Sequence, residues 1–79
     1  MDLFEAIRLR IISLIEENNI SEYKLAELAG ISRSTLSKFL SRKRKYIRLD
    51  ILEYICEAFS IELKDFFDDE VFKNVEVKE

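Results

Sequence analysis

The run Leu25-Ala26-Glu27-Leu28-Ala29-Gly30-Ile31-Ser32-Arg33-Ser34-Thr35-Leu36-Ser37-Lys38-Phe39-Leu40 decides the fold. Leu25, Leu28 and Ala29 recur at helical spacing and Ser21 can cap the first turn, which predicts a helix over 22–29. Gly30 ends it, because glycine takes a positive φ without steric cost. Ser32 can cap the next helix, 33–41, with Leu36, Phe39 and Leu40 turned inward. Only Gly30-Ile31 separates the two. Helices joined by so tight a turn cross steeply, and the second can project from the surface. A close crossing asks for a small residue where the backbones meet, and Ala26 lies four residues before Gly30.

Working outward, Leu3, Ile7, Ile11, Leu14 and Ile15 step by three or four residues and predict a first helix over 2–18. Asp2 can cap it and Asn18-Asn19 can stop it, since asparagine tolerates the left-handed conformation. A basic connector, 42–48, leads to a fourth helix over 49–59 with Leu52, Ile55, Cys56 and Phe59 inward. A fifth, 62–67, turns Leu63, Phe66 and Phe67 inward. The expectation is an all-α fold: a compact bundle of five short helices containing a helix-turn-helix, with a domain over 1–67 and a short acidic C-terminal tail over 68–79. Within the tail, Val75-Glu76-Val77-Lys78 alternates apolar and polar as a strand would. Two readings follow, a disordered tail or one that adds a strand to a partner.

The stretch 25–40 resembles the core of the Cro/Xre family, the phage-repressor-like (lambda-repressor-like) DNA-binding domains. The similarity extends over residues 3–67, with Ile55-Cys56-Glu57-Ala58-Phe59-Ser60-Ile61 and Asp65-Phe66-Phe67 resembling the family's last two helices. It implies that helix 33–41 lies in the major groove of double-stranded DNA. It also implies that the N-terminus of the second helix, at Ser21, Glu22 and Tyr23, faces the DNA backbone. In similar proteins the fourth and fifth helices approach a two-fold axis, which makes Phe67, Val71 and Phe72 candidates for a homodimer contact. The sequence departs from the family pattern at Arg42 and Ser60, where glycine is usual. Either those residues are held left-handed, at about 1–2 kcal/mol each, or the backbone there is different.

Helical geometry independently sends Arg33, Ser34, Ser37, Lys38 and Ser41 away from the face that bears Leu36, Phe39 and Leu40. Arg33, Ser34, Ser37 and Lys38 are therefore the candidate base readers. An arginine in the first turn can grip guanine O6 and N7 in a bidentate fork. The candidate phosphate contacts are Ser21, Tyr23, Ser41, Arg42, Lys43, Arg44, Lys45 and Arg48, as hydroxyl donors or as point charges flanking the helix.

The chain has 79 residues, no histidine, one cysteine and a net charge of −3. With no histidine base, no cysteine pair and no phosphate loop, no enzyme is expected, and no cofactor or metal. Asp68-Asp69-Glu70 reads as solvated tail, and Cys56 as a small core residue. The acidic N-terminus lacks the base of a signal peptide and no apolar run approaches membrane-spanning length, so a cytoplasmic protein is expected. The charge is unevenly spread. Residues 1–31 hold three cations against six acids, 32–48 hold seven cations and no acid, and 49–79 hold three against ten. The segment with +7 is the proposed recognition helix and its flanking loop, so a net acidic chain can still present a positive face to DNA. The expected function is a sequence-specific transcriptional regulator, a repressor, binding a palindromic operator as a homodimer. The alternative is a protein-interaction module, such as the antitoxin of a toxin–antitoxin pair, using the 68–79 tail.

Overall fold

Four helices of this chain stop at a residue with positive φ, and only one of those residues is glycine. The structure, a computed structural model, describes residues 1–76. Among them are α1 (Leu3–Glu17), α2 (Glu22–Ala29), α3 (Arg33–Leu40), α4 (Leu49–Ala58), α5 (Leu63–Phe67) and a 3-10 helix (Glu70–Asn74). The all-α expectation holds, with each helix end within a residue of its predicted place. Asp2, Ser21 and Ser32 each cap the helix that follows, accepting from the backbone N–H of Phe4, Lys24 and Thr35.

The left-handed residues are Asn19 (φ 52°), Gly30 (69°), Arg42 (67°) and Ser60 (58°). Three of the four stops are built alike. Asn19, Gly30 and Ser60 donate their N–H to the carbonyls of Glu16, Glu27 and Glu57 at 3.1, 3.2 and 3.0 Å. The isoleucine after each, Ile20, Ile31 or Ile61, donates to the carbonyl of Ile15, Ala26 or Cys56 at 3.2, 3.1 and 3.0 Å. This is the paired-bond helix stop that satisfies two otherwise orphaned carbonyls. Each isoleucine also packs against the core, which turns the chain inward as the helix ends. A Cβ built on Gly30 would meet nothing within 4 Å, so what selects glycine there is the dihedral angle rather than space. Ser60 occupies the same conformation with a Cβ. Ser60→Gly is therefore expected to raise stability by about 0.5–1 kcal/mol, the strain relieved less the extra freedom of the unfolded chain. Denaturant unfolding should show a higher midpoint with an unchanged slope.

α2 packs against α3 and α4, α1 against α3 and the 3-10 helix, and α5 against α4. The core so enclosed comprises Ile7, Ile11, Leu14, Leu25, Ala26, Leu36, Phe39, Leu40, Leu52, Ile55, Cys56 and Phe66. Burial pushes the Cys56 thiol up to about 11, so it stays protonated and inert as a core residue. Four expected core residues, Leu3, Leu28, Leu63 and Phe67, are instead exposed. The inward face of α2 is centred among Leu25, Ala26 and Ala29, and at roughly 100° per residue Leu28 falls about a quarter turn off that centre. Leu3 and Leu63 open their helices, where little chain remains to cover them. The five-residue α5 has room to bury one ring, and that ring is Phe66.

The described part of the tail, residues 68–76, lies against the helices. Asp69 caps the 3-10 helix through its carboxylate and also pairs with Arg10 of α1 at 3.2 Å, and Phe72 packs against the core. Arg10 further donates to the α5 carbonyls of Phe66 (2.8 Å) and Asp65 (3.1 Å), so one guanidinium ties α1 to α5 and to the tail. At the start of the strand-like stretch Met1 donates to the Asn74 carbonyl and accepts from the Glu76 N–H, both at 3.0 Å. Val77 and Lys78 lie outside the described residues. No helix among the described residues is long and apolar enough to cross a membrane.

Candidate nucleic-acid interface

α3 divides into two faces as its sequence required. Leu36, Phe39 and Leu40 are buried, while Arg33, Ser34, Ser37 and Lys38 are all exposed. Thr35 is half-buried and drawn into the cap: its N–H donates to the Ser32 hydroxyl, which in turn donates to the Thr35 hydroxyl at 2.7 Å. The starts of α2 and α3 meet in an open groove lined by Glu22, Tyr23, Arg33, Ser34 and Ser37. Across it the Arg33 guanidinium stacks on the Tyr23 ring, 4.5 Å from its centroid. Tyr23, expected only as a phosphate donor, thus also orients the first side chain of α3. Ser21 is exposed at the head of α2 with its oxygen committed to the cap.

The basic run is not uniform. The Lys38 carbonyl accepts from the Arg44 N–H at 3.0 Å and from the Ser41 hydroxyl at 3.4 Å, folding the loop back onto the end of α3. Arg33, Lys38, Lys43 and Arg44 are exposed and make no ion pair with any described residue. Three other cations face a carboxylate. Arg48 lies 2.6 Å from Asp50, Lys45 lies 3.9 Å from Asp2, and Arg42 forms a two-pronged pair with Glu5 at 3.1 and 2.7 Å.

Glu5 and its partners are what sequence reasoning missed. Glu5 also receives two bonds from Arg8, at 2.9 and 2.8 Å, and Arg8 donates to the carbonyl of Leu40, the last residue of α3, at 3.3 Å. Arg8 is buried. The hydrogen bonds from Arg8 and then Arg42 lower the Glu5 carboxyl to about 2, so it is ionised whenever the domain is near neutral pH. The i,i+3 spacing of Glu5 and Arg8 is visible in the sequence. That Arg42, 37 residues away, closes on the same carboxylate is not.

Two short helices crossing at a left-handed glycine, the second with a polar face turned out and cations beside it, define a helix-turn-helix domain. The chain belongs to the Cro/C1-type HTH DNA-binding domain family, whose model matches residues 10–71. Among solved structures it is similar to the crystal structure of the prophage Lp1 protein 11, with a TM-score of 0.80 and 25% identity over 95% of this chain and 100% of that one. No curated protein matches it by sequence.

Proposed function

We propose that the chain is a sequence-specific transcriptional repressor that binds double-stranded DNA as a homodimer. The observation that carries this is the side chains left free on one surface: Arg33, Ser34, Ser37 and Lys38 along α3, with Lys43 and Arg44 beside its C-terminal end. With α3 in the major groove, Arg33 and Ser34 in its first turn address base edges, and Ser37 and Lys38 lie one turn on. Lys43 and Arg44 supply phosphate charge without first giving up an ionic partner, while Ser21 and Tyr23 reach the backbone from α2. Ser41, Arg42, Lys45 and Arg48 complete the flank as the less available contacts.

One such domain offers a small footprint, and pairing two places their recognition helices ~34 Å apart, one turn of duplex. Leu63 and Phe67 are exposed, and Phe67 meets Phe72 at a tilt with centroids 4.9 Å apart, an apolar edge whose cover by a second copy would be favourable and which supports pairing. With residues 70–74 folded onto α1, no described feature favours the partner-wrapping alternative over DNA binding.

Binding to genomic DNA fragments across a salt series tests the reading. For the wild type, log K should fall linearly with log salt. Substituting Lys43 and Arg44 together by alanine should weaken all sequences alike and flatten the slope by about 3.6 for the homodimer, near 0.9 for each of its four phosphate contacts no longer made. Binding that is absent or independent of salt would sink the proposal. Selection from a random duplex library should return a palindrome if the homodimer is the binding species.

A further inference from the structure

Resting on that reading of the α3 face, we propose that Glu5 is a positioning residue for DNA binding: it holds Arg42 in the free protein and gives it up to a backbone phosphate in the complex. A carboxylate meets guanidinium through two parallel N–H bonds, the same fork that a phosphate offers. Arg42 already makes that fork with Glu5, Nε to Oε1 at 3.1 Å and Nη2 to Oε2 at 2.7 Å. Glu5 therefore occupies the place of a phosphate on a side chain that projects from the basic loop. The Arg42 side chain is 63% exposed, so a ligand can reach it where it sits.

The exchange is feasible because Glu5 has two cations. The second, Arg8, is buried and bound to the same two oxygens at 2.9 and 2.8 Å, and its remaining nitrogen is satisfied by the Leu40 carbonyl. When Arg42 leaves, Glu5 and Arg8 remain a neutral, hydrogen-bonded pair, and no charge is stranded inside the fold. With Arg42 in place the cluster carries one net positive charge, which still attracts a phosphate. Lys45 repeats the arrangement more loosely, 3.9 Å from Asp2, so both acids at the start of α1 face cations of the loop. The start of α1 thus acts as a built-in counter-ion that DNA must displace, and it costs affinity by the strength of an exposed ion pair.

The test uses the full chain and a duplex of mixed sequence, titrated over a salt series. Glu5→Gln should tighten binding about two- to five-fold, the range expected for removing an exposed ion pair as competitor. Arg42→Gln should weaken binding and lower the salt slope by about 0.9 for each protomer bound. In the double variant the gain from Glu5→Gln should vanish. An equal gain with and without Arg42 would mean only that a negative charge had been removed, and would overturn the proposal. So would an unchanged slope in Arg42→Gln. Because Glu5→Gln also weakens the hold on buried Arg8 and can compromise folding, the wild type provides a second measurement. On adding duplex, the NMR resonance of the Arg42 Nε–H should move to a phosphate-bound position, while that of Arg8, which keeps its Glu5 acceptor, should shift less. An Arg42 signal unmoved at saturation overturns the exchange while leaving DNA binding intact. A wild type with no salt-dependent binding overturns both.

Discussion

Phe66→Ala is expected to destabilise the domain by about 3–5 kcal/mol, the range for removing a buried aromatic ring. For a chain of 79 residues the whole folding free energy is about 4–12 kcal/mol, so the loss takes between about a quarter and all of it. Phe66 is fully buried although its helix, α5, is only five residues long. Such a helix does not hold itself together, and it stays folded because its one inward ring is gripped from several sides. Phe67 meets that ring edge-on at 5.2 Å, Phe72 of the 3-10 helix lies 5.9 Å away, and the Arg10 guanidinium sits 5.8 Å above it. Removing the ring leaves a cavity and also frees the elements that close over it. Phe67→Ala is the control, since that ring is 36% exposed and its removal should cost about 1 kcal/mol. Urea unfolding followed by circular dichroism separates the two. Equal destabilisation would show that the core does not close on Phe66.

Why the helices were legible and some of their inward faces were not comes down to what each signal depends on. The stops are local. Asn19, Gly30 and Ser60 each sit three residues after a glutamate and directly before an isoleucine, so the same Glu-x-x-x-Ile spacing ends α1, α2 and α4. The isoleucine, rather than the glycine, is the common element, because the inward turn needs an apolar anchor and tolerates a strained residue before it. Faces are not local. Leu28 satisfies the helical period as well as Ala29 does, and only the direction in which α3 and α4 meet α2 leaves it exposed. The placement of the tail is likewise not local, since it is burial of Phe72 against α1 and the core that holds the 3-10 helix in place.

Charges show the same division. Segment counts bring seven cations together in 32–48, and all seven are exposed on α3 and the loop after it. Which cations are free depends on long-range partners: Glu5 for Arg42 across 37 residues, and Asp2 for Lys45. Arg8 and Arg10 carry no signal in the sequence that separates them from ordinary surface cations. In the structure they are the fastenings of α1, Arg8 to the end of α3 and Arg10 to α5 and Asp69. Both bury their stems and guanidinium groups because backbone carbonyls at helix C-termini need donors there.

Arg33→Ala is expected to reduce binding to the preferred sequence by about 5- to 150-fold for each half-site, corresponding to the 1–3 kcal/mol carried by one good bidentate base contact. The effect should be confined to one base position. Against duplexes substituted at each position of the wild-type site in turn, the variant should show no preference at a single guanine in each half-site and keep the others. Two features make Arg33 the strongest candidate among the four exposed residues of α3. It lies in the first turn, and it is the one whose conformation is already set, by the Tyr23 ring 4.5 Å from its guanidinium. A long side chain that is fixed before binding loses less entropy on meeting a base than a free one does. Lys38 has no comparable support among the described residues, and Ser34 and Ser37 both donate and accept, so they discriminate weakly between bases. The stack also separates two roles for Tyr23. Tyr23→Phe keeps the ring and should preserve the base preference while weakening all sequences slightly through the missing hydroxyl. Tyr23→Ala removes the ring and should erode the same base position that Arg33→Ala abolishes. If Arg33→Ala instead lowers affinity uniformly and reduces the salt slope by about 1, its partner is a phosphate, and specificity has to be sought at Lys38 and the serines.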